Sequence, residues 1–280
     1  MLKLIVNGDD FGLTEGMNNG ILRSFLSGIL TSTSIMANGN AFENAIQIAR
    51  NNPTLDVGIH LTLVGGTPVL DDSKIPSLLK KQASFYEDYK DFIKAYIAGK
   101  FSLDEIKKEF KAQIEKVLDS GIKLSHIDSH QHIHCFPKVI DITIELSEKF
   151  NIPYIRFPKE HIAPYMLADV EKISRFFELL VINSICSLIK NRIPKSSEYF
   201  AGFFTGGRLN KSNLMKVIKN LPKEGTCELM CHPGLFDGKE NPYSYWKYDF
   251  EGEVAALTDD DVKELILQKG IILTSFCRES

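Results

Sequence analysis

The chain has 280 residues, and 33 basic against 36 acidic side chains leave a net charge of −3 with no long block of either sign. That balance supplies no field for nucleic acid or an anionic membrane surface, while the length suits one large α/β domain with a sizeable core. Five cysteines without a Cys-X-X-Cys pair read as a reduced, intracellular protein rather than a disulfide scaffold.

Residues 1–7 are too short and too soon polar for a signal peptide, so the cytoplasm is expected. Residues 2–6 form a continuous apolar run, the pattern of a strand buried on both faces, ending in Asn7-Gly8-Asp9-Asp10. Thr14 can cap a helix over 15–26, and a strand over 31–36 and a helix over 42–50 follow. Asn52-Pro53 breaks that helix before a strand over 55–63 that carries His60 near its end. Beyond an irregular segment opened by Gly65-Gly66, helices are expected over 86–98 and 103–118, the second capped by Ser102 with Glu105 three residues on. A strand over 124–128 leads into His126-Ile127-Asp128-Ser129-His130-Gln131-His132-Ile133-His134. After it come a helix over 137–150, a strand over 152–157 with Arg156, and a long helix over 166–189. That last helix is the one membrane-like stretch, but Arg175, Glu178 and Asn183 make it a buried or interface helix rather than a span. A strand over 198–204, a helix over 213–221 and a strand over 226–230 precede Cys231-His232-Pro233-Gly234. An aromatic loop with Tyr243, Tyr245, Trp246, Tyr248 and Pro242 then leads to a helix over 259–268 and a last strand over 271–276.

Apolar strands alternating with helices about eight times predict a parallel sheet closed into a (β/α) barrel, in a single domain spanning 1–280. An open doubly wound sheet is the fallback. Either way, the polar outliers Asp9, Asp10, His60, Asp128, His130, Arg156 and His232 fall at strand carboxyl ends, where such folds assemble chemistry.

If the histidine run is extended, side chains two apart share a face, and imidazoles and a carboxylate can be presented together. Imidazole and carboxylate are ligands for a divalent metal and also the usual acid–base groups. Adjacent aspartates at a strand end need a cation or proton to relieve them; one can bind metal while its neighbour works as a base. One Asp with His60 and His130 makes the three-ligand set of a catalytic metal with a position left open. His232, held by Pro233 and Gly234, is a candidate general acid. Arg156 can pair with an aspartate and hold it ionised, and Tyr243 and Trp246 belong to a loop whose flat faces suit sugar rings. Against these stand plainer readings: a capping turn for Asp9-Asp10, a core histidine for His60, a backbone-bonded turn for His232, and ordinary loop packing for the aromatics.

The motifs Asn7-Gly8-Asp9-Asp10-Phe11-Gly12-Leu13, Thr31-Ser32-Thr33-Ser34, Gly58-Ile59-His60-Leu61, the histidine run, Arg156-Phe157-Pro158 and Cys231-His232-Pro233-Gly234 occur in this order. In this combination the chain resembles the YdjC-like carbohydrate deacetylases, the family containing chitooligosaccharide deacetylase, from residue 3 to about 276. One departure is Gly8, where alanine is more typical. The resemblance implies a distorted, TIM-like (β/α) barrel that removes acetyl groups from N-acetylated sugars with one divalent metal. It makes Asp10, His60 and His130 the ligands and Asp9 the catalytic base, with His232 as proton donor. Asp128 and His126 then support the ligands from behind. The family implies magnesium, whereas two imidazoles and one carboxylate suit zinc better, and it implies a homodimer. Two rival readings remain: a barrel phosphoesterase whose metal cluster also uses His132 and His134, and a sugar-binding protein without turnover.

Overall fold

Leu4, Ile5 and Val6 are fully enclosed in strand β1 (Leu2–Phe11) because that strand lies at the centre of the sheet. Along one edge it pairs with β7 (Gly225–Cys231); the other edge is shared by β8 (Ile272–Thr274), against residues 3–5, and β2 (Ser32–Ile35), against residues 7–11. In the computed structural model, which describes residues 1–81, 83–167, 173–236, 241 and 243–279, the strand order is β5–β4–β3–β2–β1–β7–β6 and every pairing is parallel. Here β3 is Asp56–Leu61, β4 His126–Ser129, β5 Tyr154–Ile155 and β6 Tyr199–Ala201. The sheet curls until its outer strands meet: Ile155 N–H donates to the Lys195 carbonyl (2.9 Å), and a parallel bridge joins Glu160 to Phe200. The result is a distorted, TIM-like (β/α) barrel.

The helices between strands follow the local chemistry of the sequence. Thr14 accepts from Met17 N–H to start α1 (Glu15–Ser27), and α2 (Phe42–Asn51) ends before Pro53. Asp88 starts α3 (Tyr89–Ile97), and Ser102 accepts from Glu105 N–H to start α4 (Leu103–Asp119). Buried Ile106, Phe110, Ile114 and Val117, three and four residues apart, are the α4 face that packs onto the sheet. Then come α5 (Val139–Phe150), α6 (Pro164–Leu167), α7 (Ile173–Ile189) and α8 (Lys211–Lys219). The single helix expected over 166–189 thus corresponds to α6 and α7, with residues 168–172 outside the described residues, as is Pro242. The aromatic loop ends sooner than expected: Asp249 accepts from Gly252 N–H to start α9 (Phe250–Thr258), directly before α10 (Asp260–Gln268). No described helix is long and apolar enough to cross a membrane.

Period-two alternation along β1 sends Ile5, Asn7 and Asp9 toward the barrel axis. Ile5 closes the floor with Tyr154 and Phe276. The His126 ring stacks on Phe276 at 4.0 Å, and a polar layer of Asn7, Ser34, Asp128, Arg156 and Glu228 fills the middle. The mouth is left to Asp9, Asp10, His60 and His130.

Candidate active site

The ladder between β1 and β2 loses register between Gly8 and Phe11, and Asp10 takes φ of 66°. Neighbouring residues of a regular strand face opposite ways; this break turns both Asp9 and Asp10 to the same opening, where both line the mouth cavity. Strain of about 1–3 kcal/mol at a left-handed non-glycine residue is the order of its cost.

Asp10 Oδ1 lies 3.3 Å from His60 Nε2 and 3.1 Å from His130 Nδ1. The other ring nitrogen of His60 is 2.8 Å from Asp128 Oδ1, which fixes which nitrogen faces Asp10. Potential ligand atoms of Asp10, His60 and His130 all lie within 4.8 Å of one another, and Asp10 Oδ2 is buried without a hydrogen-bond partner. Burial works against charge on His60, yet Asp128 and Asp10 outweigh it and push the imidazole up to about 10. Asp10 is held well below the usual carboxylate range: burial opposes this, but His130 and His60 prevail. These carboxylates draw a proton onto an imidazole they surround; a divalent cation would take the place of that charge. An unpartnered carboxylate oxygen, two imidazoles and a neutralising demand fit a metal ion.

One guanidinium organises what lies beneath. Arg156 Nη1 and Nη2 donate to Asp9 Oδ2 and Oδ1 (2.7 Å each), Nη2 also reaches Asp128 Oδ2 (2.7 Å), and Nε donates to Glu228 Oε1 (2.6 Å). Only a planar five-donor group can serve three carboxylates in this way. Asp128 is held well below its usual range, Arg156 and His60 overcoming its burial; Glu228, with one oxygen unpartnered, is pushed up to about 7 by burial against the pull of Arg156. Arg156 is 1 % exposed and does not line the cavity, so its partners are these carboxylates rather than a ligand.

The histidine run is not extended throughout, and its members separate. His126 and Asp128 share the inward face of β4, where Ser34 Oγ donates to Asp128 Oδ2 (2.7 Å) and lies 3.0 Å from His126 Nε2. Burial brings His126 down to about 4, so it is neutral, and a Cβ on Gly58 would come within 2.3 Å of its ring. After Ser129 the chain turns sharply, Gln131 and His132 both adopting left-handed backbone (φ 58° and 54°). His130 is left at the mouth. His134 sits between Ser129 Oγ (2.6 Å) and the Arg156 carbonyl (3.0 Å), bracing the loop. His132 lines the cavity but packs its ring on Phe200 and Phe203. Neither joins the group of Asp10, His60 and His130.

Opposite, the His232 ring meets Tyr248 edge to face (5.2 Å), and its Nδ1 is buried without a partner. Burial lowers its pKa, with Asp9 and Asp10 pulling the other way. Its backbone N–H donates to Glu253 Oε2 (2.5 Å), whose other oxygen accepts from Leu209 N–H (3.1 Å). The turn needs close approach: a Cβ on Gly20 of α1 would meet Gly234 Cα at 2.5 Å. Trp246 lies over His130 at 5.3 Å and against Tyr243 at 4.7 Å. Tyr243 and Trp246 line a second cavity of about 380 Å³ that meets the mouth cavity, about 440 Å³, at Tyr89, His130 and Gln131.

Glu228 and Glu253 are contributors that the sequence did not point to, while Ser34 and Tyr248 stood there only as members of a motif and of the aromatic loop, without a role. Ser34 and Glu228 were detectable as polar residues in otherwise buried strands; nothing in the sequence around Glu253 marked it.

The profile of the YdjC-like protein family matches residues 3–268. A carbohydrate deacetylase of Thermoanaerobacter pseudethanolicus is 33% identical over 276 residues, covering 99% of this chain and 98% of its own. One of Brevibacillus brevis is 31% identical over 275 residues, covering 98% of each. A crystal structure from Enterococcus faecalis V583, described provisionally as a cellobiose-phosphate cleavage protein, superposes with a TM-score of 0.75 at 25% identity, over 99% of this chain and 98% of that one.

Proposed function

This chain belongs to the YdjC-like protein family, and from that premise we propose that it is a carbohydrate deacetylase hydrolysing the N-acetyl amide of an N-acetylglucosamine-type mono- or oligosaccharide, with one divalent metal ion held by Asp10, His60 and His130. The observation that carries the reading is the buried, partly unsatisfied group of those three residues facing Asp9 and His232 across a cavity at the strand ends. The metal's supply at such a site is Lewis acidity, which acidifies water and polarises the acetyl carbonyl.

The chain's own residues divide the rest of the work. Asp9 takes the proton of the attacking water; the two-point grip of Arg156 fixes the carboxylate plane so that a lone pair stays aimed at the opening. His232 delivers a proton to the departing sugar nitrogen, which is otherwise a very poor leaving group. Glu253 holds the backbone of His232 in place for that delivery. Asp128, and His126 behind Ser34, keep the His60 ring oriented.

Imidazole-rich ligation favours zinc, and magnesium is the alternative that family resemblance brings. A single catalytic domain over 1–280 acting as a cytoplasmic homodimer completes the reading. The test is acetate release from a panel of N-acetylated mono- and disaccharides, with zinc and magnesium exchanged in parallel. No acetate from any of them under either metal would overturn it.

A further inference from the structure

The two cavities that meet at His130 differ in kind. The one under Trp246 offers aromatic faces from Tyr243, Tyr245 and Trp246 beside the side chains of Asn38 and Asn40, which suits a sugar ring. The other takes in the mouth and the charged Lys90, Arg175 and Glu178; its apolar side is formed by Ile93, Phe177, Val181, Ile182, Ile185 and Met230, chiefly from α7. A trans amide places its two substituents on opposite sides of the carbonyl group. With that carbonyl beside Asp10, His60 and His130 and the sugar on the aromatic side, the acyl carbons must enter the apolar lobe. An acetyl methyl, about the size of a water molecule at roughly 30 Å³, fills little of a cavity of about 440 Å³ that takes in both the mouth and this lobe. Phe177 and Val181, 61% and 60% exposed, belong both to its wall and to an apolar face of α7 that also exposes Ile173 and Leu188.

We infer that the enzyme accepts N-acyl groups longer than acetyl, the apolar lobe against α7 being an acyl-chain subsite that makes the protein a broader N-acyl-glucosamine amidohydrolase. The inference rests on the amide-hydrolase reading above. In the reaction, water oxygen bonds to the acyl carbon and the C–N bond breaks. Of the two water protons, one joins the C–N electron pair on the sugar nitrogen and the other is lost to solvent as the acid ionises, releasing a carboxylate and the free amine.

The experiment measures kcat/KM of the metal-loaded full chain on N-acetyl-, N-propionyl-, N-butyryl- and N-hexanoylglucosamine, detecting the free amine. Burial of each methylene predicts a rise of about two- to fourfold per carbon. Val181→Asp, on the exposed side of α7, should lower the hexanoyl-to-acetyl ratio at least tenfold, and Val181→Trp, which fills the lobe, should lower it too. A flat or falling series with acetyl still cleaved overturns the subsite and leaves the deacetylase reading standing; no amine from any substrate overturns both. Equal loss on acetyl and hexanoyl substrates in both Val181 variants would mean that α7 faces the sugar or another chain, and would also overturn it.

Discussion

Asp9 and Asp10 are neighbours in sequence with different surroundings, and the division of roles proposed for them follows that difference. Both Asp9 oxygens are taken by Arg156, whereas Asp10 faces two imidazoles with one oxygen unpartnered. Asp9→Asn preserves shape and removes the proton acceptor. Turnover should fall by about 10²–10⁴ while metal analysis still finds one ion per chain; an unchanged rate would exclude Asp9 as the base. Asp128→Asn weakens the hold on His60 and should reduce metal affinity by about 10–100-fold, read by competition with a chelator. For His232, the lowered pKa implies that the donor form is lost as pH rises, sooner than for an ordinary histidine. The alkaline limb of kcat should therefore begin early and flatten in His232→Gln. At this scale the sequence was informative because charged and imidazole side chains at the ends of apolar strands are conspicuous. It was blind to Glu253, which acts through a backbone N–H and lies in a helix with a weak apolar pattern.

Among elements, the seam between β5 and β6 is the least regular part of the barrel. Glu160 closes it by accepting from Gly202 N–H (2.9 Å) and Phe204 N–H (2.8 Å). Burial pushes this carboxyl from 4.5 up to about 7. The folded chain thus holds the proton more tightly than the unfolded one, so its stabilising contribution is present below the ordinary carboxylate pKa and is lost as pH rises through about 7. Thermal melting between about pH 5 and 8 should show stability declining with pH, and Glu160→Gln should make that decline shallower; parallel curves would rule out this carboxyl as a source. Glu228 and Glu253 share the same direction, so a residual slope is expected. The seam was not legible beforehand. The two strands themselves were expected, over 152–157 and 198–204, and are shorter, at two and three residues; their closure was hidden because it depends on a bridge between Glu160 and Phe200, forty residues apart. Helices with a capping side chain and a clean apolar face, such as α1 and α4, were readable to within a residue or two at their ends.

For the whole molecule, alternation of apolar strands and helices was enough to indicate a barrel, because a parallel sheet demands helical crossovers and strands buried on both faces. The lumen's layering, apolar floor to polar middle to charged mouth, was not legible in that alternation, since it depends on which alternate residue of each strand turns inward. That layering carries an energetic prediction. A cation binding only the folded barrel at a hundred times its Kd adds about 2.7 kcal/mol, which for a chain of this size is roughly 5–10 °C in Tm. Melting with zinc or magnesium against melting with chelator should show this difference. It should vanish in His60→Ala; a shift that survives there would place the metal elsewhere.

The central strand has one more consequence, for synthesis. β1 leaves the ribosome long before its partners along one edge and half the other, β7 and β8. Asp9 and Asp10 are therefore made early and wait for nearly the whole chain before the strand that bears them is enclosed. Until then a run of apolar residues with open edges must be kept from other chains, a burden that falls on the cell's chaperones and on a folding reaction slowed by distant contacts.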